Sequence, residues 1–386
     1  MTFYAAIAPL LPQYQDDLGL SKSAAGGLTA AYAAGTLIAS IPAGRLAGRV
    51  GGKPTMLVGL GLLAASSLAF GFGKDLVVLD GARFVQGVGG ACTWAGGFAW
   101  LMSAAPRERR GELIGSALGA AVVGVLLGPV LGGAATETSP ELVFSAVSVI
   151  ALLLAGVALA TPAGAPGPAA SWGELAGAFR RRPVLLAAWL VTLPALFTGT
   201  IDVLVPLRLD DLGASGLTIG AVFLAAAAIE AVLSPFLGRF TDRRGRLLPL
   251  RVGLAVAALS ALALPLPETV WLAATGLLIA ATALALFWTP AAAMLSESSE
   301  SAGLDQGLAF GLMNLAWALG QVVGGAAGGT LADAAGDGLS YAILGGLCAG
   351  TLLLTGRTRE GNKGVVLNPG QDRREQAGQG SVPRAR

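Results

Sequence analysis

The chain has 386 residues, of which 54% are hydrophobic and only 12% are charged, so its polar side chains are too few to cover a water-soluble globular protein. We therefore expect a lipid bilayer as its solvent and no nucleic-acid partner, and its net charge of +2 matters less than where the positive charges lie. The absence of histidine excludes imidazole catalysis and imidazole metal ligands, and the two cysteines lie in separate apolar segments. We predict neither a metal site nor a bound cofactor.

Apolar segments follow one another along most of the chain. A bilayer core about 30 Å thick needs roughly 20 apolar residues per helix. This length divides the sequence into twelve predicted spans: residues 2–14, 22–44, 54–72, 77–104, 111–134, 141–161, 184–207, 216–238, 248–267, 270–295, 304–332 and 338–356. The first span is short, so we expect helix 1 to be truncated at its N-terminus and the native start codon to lie upstream of Met1. The sequence thus predicts an all-α membrane protein with twelve transmembrane helices.

Lysine and arginine residues are concentrated in alternate loops, which predicts how the chain lies across the membrane. Because basic loops stay on the cytoplasmic side, we expect both termini to be cytoplasmic in a multi-pass protein of the cell membrane. One loop on this side is acidic instead, with Glu297 and Glu300. The composition divides the chain into an N-terminal bundle at 1–161, a cytoplasmic linker at 162–183, a C-terminal bundle at 184–356 and a disordered cytoplasmic tail at 357–386.

The two halves of the chain repeat each other at an offset of 194 residues. The first matched set comprises Pro12, Asp16, Asp17, Leu18, Gly19 and Ser21 with Pro206, Asp210, Asp211, Leu212, Gly213 and Ser215. A second set comprises Ser40, Gly44, Arg45, Arg49 and Gly51 with Ser234, Gly238, Arg239, Arg243 and Gly245. Each half is therefore predicted to be one six-helix bundle. Two pseudo-symmetric bundles with a site between them suit a transporter, because rocking one against the other exposes the site to each side in turn.

A glycine- and arginine-rich motif follows the second span and recurs in the second half. The first copy contains Gly44, Arg45, Arg49 and Gly51, and the second contains Gly238, Arg239, Asp242, Arg243, Gly245 and Arg246. Both copies resemble the signature loop between helices 2 and 3 of the major facilitator superfamily (MFS). This resemblance implies the MFS fold and a conformational latch in which the acidic residue pairs with arginines or faces a helix N-terminus. The first copy has Gly48 where the second has Asp242.

Two further motifs resemble the same family. Arg83, Gln86 and the glycines after them are similar to a helix 4 motif whose arginine projects into the central cavity. Because a charge in the bilayer is costly, we favour a cavity-facing Arg83, although it could instead reach the headgroups or pair with Asp80. The second motif, in helix 5, consists of Gly124, Gly128, Pro129, Gly132 and Gly133. It resembles the motif of the antiporter branch, which implies export of a drug or metabolite in exchange for protons.

Two carboxylates lie inside predicted spans. Glu230 is about 21 Å from the outer end of its helix by helical rise, and Asp202 lies near the outer end of helix 7. Either could be a structural acid, but we predict that Glu230 loads and releases a proton as access alternates. Other candidates for the walls of a substrate cavity are Gln86, Trp94, Trp288, Asn314, Trp317 and Gln321. Trp94 and Trp288 occupy matched positions in the repeat, so together they could line both walls.

The leading interpretation is a monomeric secondary transporter that exports a small organic molecule or drug by proton antiport and alternating access. Proton-coupled uptake of a small metabolite by the same fold is the alternative within transport. A non-transporting membrane sensor or scaffold is the alternative from another class, but it gives no reason for charged residues inside spans. An enzyme is not expected, because the sequence lacks histidine, a clustered carboxylate pair and a phosphate-binding loop.

Overall fold

The computed structural model describes residues 2–104, 110–163, 173, 177, 180–304 and 306–361. Within these residues the chain forms one short helical turn, Thr2–Ala5, followed by twelve helices of three turns or more. In chain order these helices are α1 (Ile7–Leu18), α2 (Lys22–Val50), α3 (Gly52–Gly71), α4 (Leu76–Ala104), α5 (Arg110–Glu137), α6 (Pro140–Ala160), α7 (Arg182–Asp211), α8 (Gly216–Arg244), α9 (Leu247–Ala263), α10 (Val270–Ser301), α11 (Gln306–Ala335) and α12 (Asp337–Gly361). Nine of the described helices are long and apolar enough to cross a membrane.

The internal repeat is visible in the backbone where each half turns from its first helix into its second. Gly19 and Gly213 both have positive φ, at 63° and 88°, a conformation that glycine adopts without steric cost. Ser21 and Ser215 then cap α2 and α8, since their side chains accept hydrogen bonds from the amides of Ala24 and Thr218. Matched residues of the repeat therefore form matched turns.

Several helices are longer than the apolar spans that predicted them. α2 ends at Val50 and not at residue 44, and α10 ends at Ser301 and not at residue 295. Hydropathy marks where the apolar surface stops, whereas the helix continues into the polar region with its backbone hydrogen bonds intact. α12 likewise runs to Gly361, so residues 357–361 of the predicted tail are helical. Residues 362–386 and most of the predicted linker lie outside the described residues.

The helices of each half pack mainly on one another, and the two halves meet along a few pairs. We call α1–α6 the N bundle and α7–α12 the C bundle. α2 packs on α11 and α5 packs on α8 across the boundary, and α1 contacts both α7 and α8. We call the end that carries Gly19 and Gly213 the outer end, and the end that carries Gly51 and Gly245 the inner end, following the predicted orientation.

Candidate functional site

A cavity of about 150 Å³ lies between the two bundles. It is bounded by the turn before α1 and by α1, α5, α7, α8 and α10. Its walls are mostly aliphatic and aromatic, and they include Tyr4, Val125, Pro129, Ile201, Asp202, Phe223, Glu230, Leu284 and Trp288. Within the described chain, the two charged residues that line it are both acidic. A concave, apolar site with a few polar groups is the usual form of a small-molecule site.

The two acidic residues differ in how the protein holds them. Asp202 on α7 accepts a hydrogen bond from the Tyr4 hydroxyl, with an oxygen-to-oxygen distance of 2.6 Å. Glu230 on α8 is exposed to the cavity, and no described residue donates a hydrogen bond to its carboxylate. Both predicted carboxylates therefore line one cavity, on two helices of the C bundle. Their role in proton coupling stays a prediction.

Arg83 lies inside the N bundle and not on the cavity wall. Its side chain is only 1% exposed, so the guanidinium does not reach the headgroup region. Nη1 donates to Oε1 of Gln86 at 3.2 Å, and the guanidinium carbon lies 5.1 Å from the centre of the Tyr32 ring. Tyr32 in turn contacts the ring of Tyr4, with centroids 5.7 Å apart. Arg83 thus lies behind Tyr32, whose ring contacts Tyr4 on the cavity wall.

The paired tryptophans do not line the cavity symmetrically. Trp288 is in the wall, whereas Trp94 packs edge-on against Phe98, with ring centroids 5.0 Å apart. Trp94 is not among the residues that line this cavity, so a substrate site with the two tryptophans as matching walls stays a prediction. Equal positions in a repeated sequence fix depth along a helix, but rotation of the helix decides which way a side chain faces.

Two of the other polar and aromatic candidates lie at the contact between the bundles, and the third packs within the C bundle. Trp317 on α11 packs edge-on against Tyr4, with centroids 5.2 Å apart. The Asn314 amide donates to the Ser40 hydroxyl at 2.9 Å, so it joins α11 to α2. Gln321 is 2% exposed and borders the tight contact of α11 with α7 at Gly199. These three residues hold helices together and are not among those that line the cavity.

A cluster at the outer end joins the bundles and was missed by the sequence analysis. The carboxylate of Asp333 on α11 accepts hydrogen bonds from the backbone amides of Lys22 and Ser23, the first residues of α2, at 3.0 and 2.6 Å. The Lys22 ammonium also pairs with Asp337 at 2.5 Å. An acid at a helix N-terminus satisfies amides that have no partner within the helix. The acids Asp333 and Asp337 and the start of α2 are visible in the sequence, but only knowledge of how the bundles pack would have indicated that they meet.

The amino-acid sequence matches the Major Facilitator Superfamily over residues 1–304, and a second match covers residues 193–378. The chain belongs to the major facilitator superfamily. The second match begins within α7, the first helix of the C bundle, which agrees with two copies of one unit in the chain. As a member of the MFS, the protein is a multi-pass membrane transporter and not an enzyme.

Individual relatives and a solved structure resemble this chain. The chain is 28% identical over 335 residues to multidrug resistance protein 1 of Bacillus subtilis (strain 168), a match that covers 85% of each protein. It is 30% identical over 159 residues to quinolone resistance protein NorA of Staphylococcus aureus (strain MRSA252), which covers 40% of this chain and 41% of NorA. The partially occluded inward open structure of the xylose transporter XylE from E. coli aligns with a TM-score of 0.70 at 15% identity, over 92% of this chain and 95% of XylE. The predicted MFS fold is confirmed.

The helix 5 motif of this MFS protein packs in two directions. A Cβ atom on Gly128 would lie 2.8 Å from the carbonyl oxygen of Thr2, and one on Gly132 would collide with the carbonyl of Ala6. Gly133 instead faces α8 of the other bundle, where a Cβ atom would lie 3.7 Å from the Cα atom of Gly220. Pro129 lines the cavity, and Gly124 lies one turn earlier on α5. The motif therefore holds the Tyr4 turn on one side and contacts the C bundle on the other.

The MFS signature motif lies largely in helix and not in a loop. In both copies the turn is made at a glycine with positive φ, which is 97° at Gly51 and 86° at Gly245. A Cβ atom on Gly44 or Gly238 would meet nothing within 4 Å, so close packing does not require glycine there. Arg45 is half-buried, whereas the side chains of Arg49, Arg239 and Arg243 are exposed.

The ion pair between Arg246 of the second motif copy and Glu297 stays within a single bundle. Arg246 makes a two-pronged ion pair with Glu297 at the inner end of α10. Glu297 belongs to the acidic segment on the otherwise basic side of the membrane, so one acid of that segment has a basic partner. The Asp242 side chain lies outside the described part of the structure, so a latch that involves it stays a prediction.

Proposed function

We propose that this transporter exports aromatic or otherwise apolar organic cations in exchange for protons. The observation that carries the proposal is the cavity between the bundles, in which Asp202 and Glu230 lie among apolar and aromatic side chains. Carboxylates in a poorly solvated site attract a cation strongly. Aromatic rings such as Trp288 and Phe223 add dispersion and cation–π attraction.

Exchange follows from competition for the same carboxylates. A proton and an organic cation each neutralise an ionised carboxylate, so binding of one weakens binding of the other. When the cavity opens inward, a carboxylate releases its proton and binds the organic cation. When the cavity opens outward, a proton displaces the cation. An inward proton gradient therefore drives the cation out of the cell.

Export as the direction is supported by two observations. The helix 5 motif resembles that of the antiporter branch, and two relatives carry the names multidrug resistance protein and quinolone resistance protein. Proton-coupled uptake is the alternative, since the xylose transporter has the same fold. With the basic loops facing the cytoplasm, we place the protein in the cell membrane with both termini inside, working as a monomer.

Purified protein in liposomes tests the coupling. With the membrane potential held at zero by potassium and valinomycin, an acidic interior should make the vesicles accumulate ethidium, an aromatic cation. Fluorescein, an aromatic anion, should not accumulate. Accumulation that requires an acidic exterior would show symport instead, and accumulation of fluorescein but not ethidium would overturn the cation assignment.

The role of the Glu230 carboxylate in exchange is tested by substitution in the same assay. Glu230→Gln keeps the size of the side chain but removes its charge, so we expect ethidium accumulation to fall to the level of protein-free liposomes. Glu268→Gln is the matched control, because Glu268 is exposed in the turn before α10, away from the cavity. Full pH-driven accumulation by Glu230→Gln would reject Glu230 as an exchange site.

A further inference from the structure

The hydrogen bond between Tyr4 and Asp202 crosses the boundary between the bundles. Tyr4 precedes α1 and belongs to the N bundle, whereas Asp202 is on α7 of the C bundle. Both residues line the cavity, so the bond lies where the transported molecule must bind. A neutral donor on an ionised acceptor makes a stronger hydrogen bond than two neutral groups do. The strength of this contact therefore depends on whether Asp202 carries its charge.

The direction of the Tyr4 hydroxyl is fixed by its ring. The ring packs edge-on against Trp317 at 71° between planes and contacts Tyr32 at 5.7 Å between centroids. Gly128 on α5 allows the backbone of the turn to lie close, since a Cβ atom there would be 2.8 Å from the carbonyl of Thr2. These contacts hold the hydroxyl toward Asp202, so little conformational entropy is lost when the hydrogen bond forms.

Glu230 provides a contrast within the same cavity. Its carboxylate receives no hydrogen bond from any described residue, so an incoming cation meets no competing donor there. At Asp202 the cation must compete with the tyrosine hydroxyl. The other titratable groups whose charge acts on Asp202 are Arg83 of α4 and Glu230 of α8. Neither forms a hydrogen bond with Asp202 in the described structure, whereas Tyr4 does.

We propose that Tyr4 is a positioning residue that ties the two bundles together at the cavity while Asp202 is ionised and empty. This inference rests on the proposed exchange at Asp202. A proton on Asp202 removes the charge that strengthens the bond, and an organic cation occupies the same carboxylate. Either ligand weakens the tie and allows the bundles to rock. The empty, ionised transporter keeps the tie and does not reorient.

Exchange stays coupled only if the transporter does not reorient while neither a proton nor a cation is bound. If the unloaded transporter reoriented freely, the cation would move down its own gradient without a proton and dissipate any accumulation. The hydrogen bond opposes this leak because it is strongest in the unloaded state. A hydrogen bond to a charged group contributes about 1.5–3 kcal/mol, so its loss should change the leak by roughly tenfold or more.

Tyr4→Phe is the direct test, because it removes the hydroxyl and keeps the ring packing. In liposomes with an acidic interior, we expect the variant to accumulate roughly tenfold less ethidium than the unchanged protein. With equal alkaline pH on both sides, where protons are scarce, we expect its downhill ethidium efflux to be roughly tenfold faster. Tyr14→Phe is the matched control, since Tyr14 is a buried tyrosine of α1 whose hydroxyl makes no hydrogen bond to a described residue.

The outcomes separate this inference from the proposed function. If the unchanged protein accumulates no ethidium, the proposed exchange fails. If it accumulates ethidium and Tyr4→Phe behaves identically, or loses accumulation and downhill efflux together, the positioning role is refuted. As a further check, Tyr4→Phe added to Asp202→Asn should leave the downhill rate of that single variant unchanged, because no charged acceptor remains. A second tenfold rise there would also contradict the proposal.

Discussion

The outer and inner ends of the molecule are held by different kinds of contact. At the outer end, Asp333 of the C bundle binds the first amides of α2 in the N bundle, and Gly26 packs against the backbone of α11. At the inner end, Arg246 binds Glu297 within the C bundle. A transporter that rocks must break contacts between its bundles in every cycle while each bundle keeps its own shape. Substitutions at the outer end should therefore alter transport, and those at the Arg246 pair should alter stability.

The glycine contact at the outer end should give the largest effect. A Cβ atom on Gly26 would collide with the carbonyl of Gly325 and lie 3.4 Å from the Cα atom of Gly329. Overpacking costs about 1–3 kcal/mol, so Gly26→Val should shift the equilibrium away from outer closure by roughly 5- to 150-fold. We expect proton-driven ethidium accumulation to fall by about tenfold or more.

The next residue supplies the control for this prediction. A Cβ atom on Gly27 would meet nothing within 4 Å, so Gly27→Val changes the same helix without touching α11. Reaction of a cysteine introduced at Ile201 with an impermeant maleimide from outside would report opening. Equal transport and equal labelling in the two variants would show that the glycine contact does not control outer closure.

The Asp333 contact should give an intermediate effect. Asp333→Asn keeps one acceptor oxygen but removes the charge at the helix N-terminus, a change worth about 0.3–1 kcal/mol at an exposed site. We expect the transport rate to change by roughly two- to fivefold and the difference to shrink at high salt. Glu268→Gln, another exposed acid of the outer end, should change neither the rate nor its dependence on salt. A difference that persists at high salt would show that charge is not the cause.

Local backbone features of this fold could be predicted from the sequence, and long-range pairs could not. The offset of 194 residues placed Gly19 and Gly213, and Gly51 and Gly245, at matched turns, because a positive φ is a local requirement that glycine meets. The hydrogen bond of Tyr4 joins residues 198 positions apart, and nothing in the local pattern of either segment encodes it. The position of Asp202 inside a span made it a candidate, but the sequence did not indicate that its partner would be a residue of the N-terminal half.

Helix rotation explains the difference between the matched tryptophans. Trp94 and Trp288 share a depth, yet only Trp288 is among the residues that line the cavity. Each step along a helix turns the side chain by about 100°, so a small difference in tilt or rotation between the repeats moves a residue from the wall into the packing. The repeat thus predicts which helices surround the site better than it predicts which side chains reach it.

The Arg246 pair should give the smallest change in transport and the clearest change in stability. Its side chains are 22% and 41% exposed, so the pair contributes at most about 1 kcal/mol. Glu297→Gln should lower the Tm of the detergent-solubilised protein by roughly 2 °C and leave ethidium transport within about twofold of the unchanged protein.

Glu300 is the matched control, since it is exposed on the same last turns of α10, and Glu300→Gln should leave the Tm unchanged. Exchanging the charges, with Arg246→Glu and Glu297→Arg together, should restore the Tm if the two side chains act as a pair. If Glu297→Gln instead slowed transport as strongly as Gly26→Val while the Tm stayed constant, the pair would act during rocking. Contacts at the inner end and at the outer end would then have the same role, because both would have to break in each transport cycle.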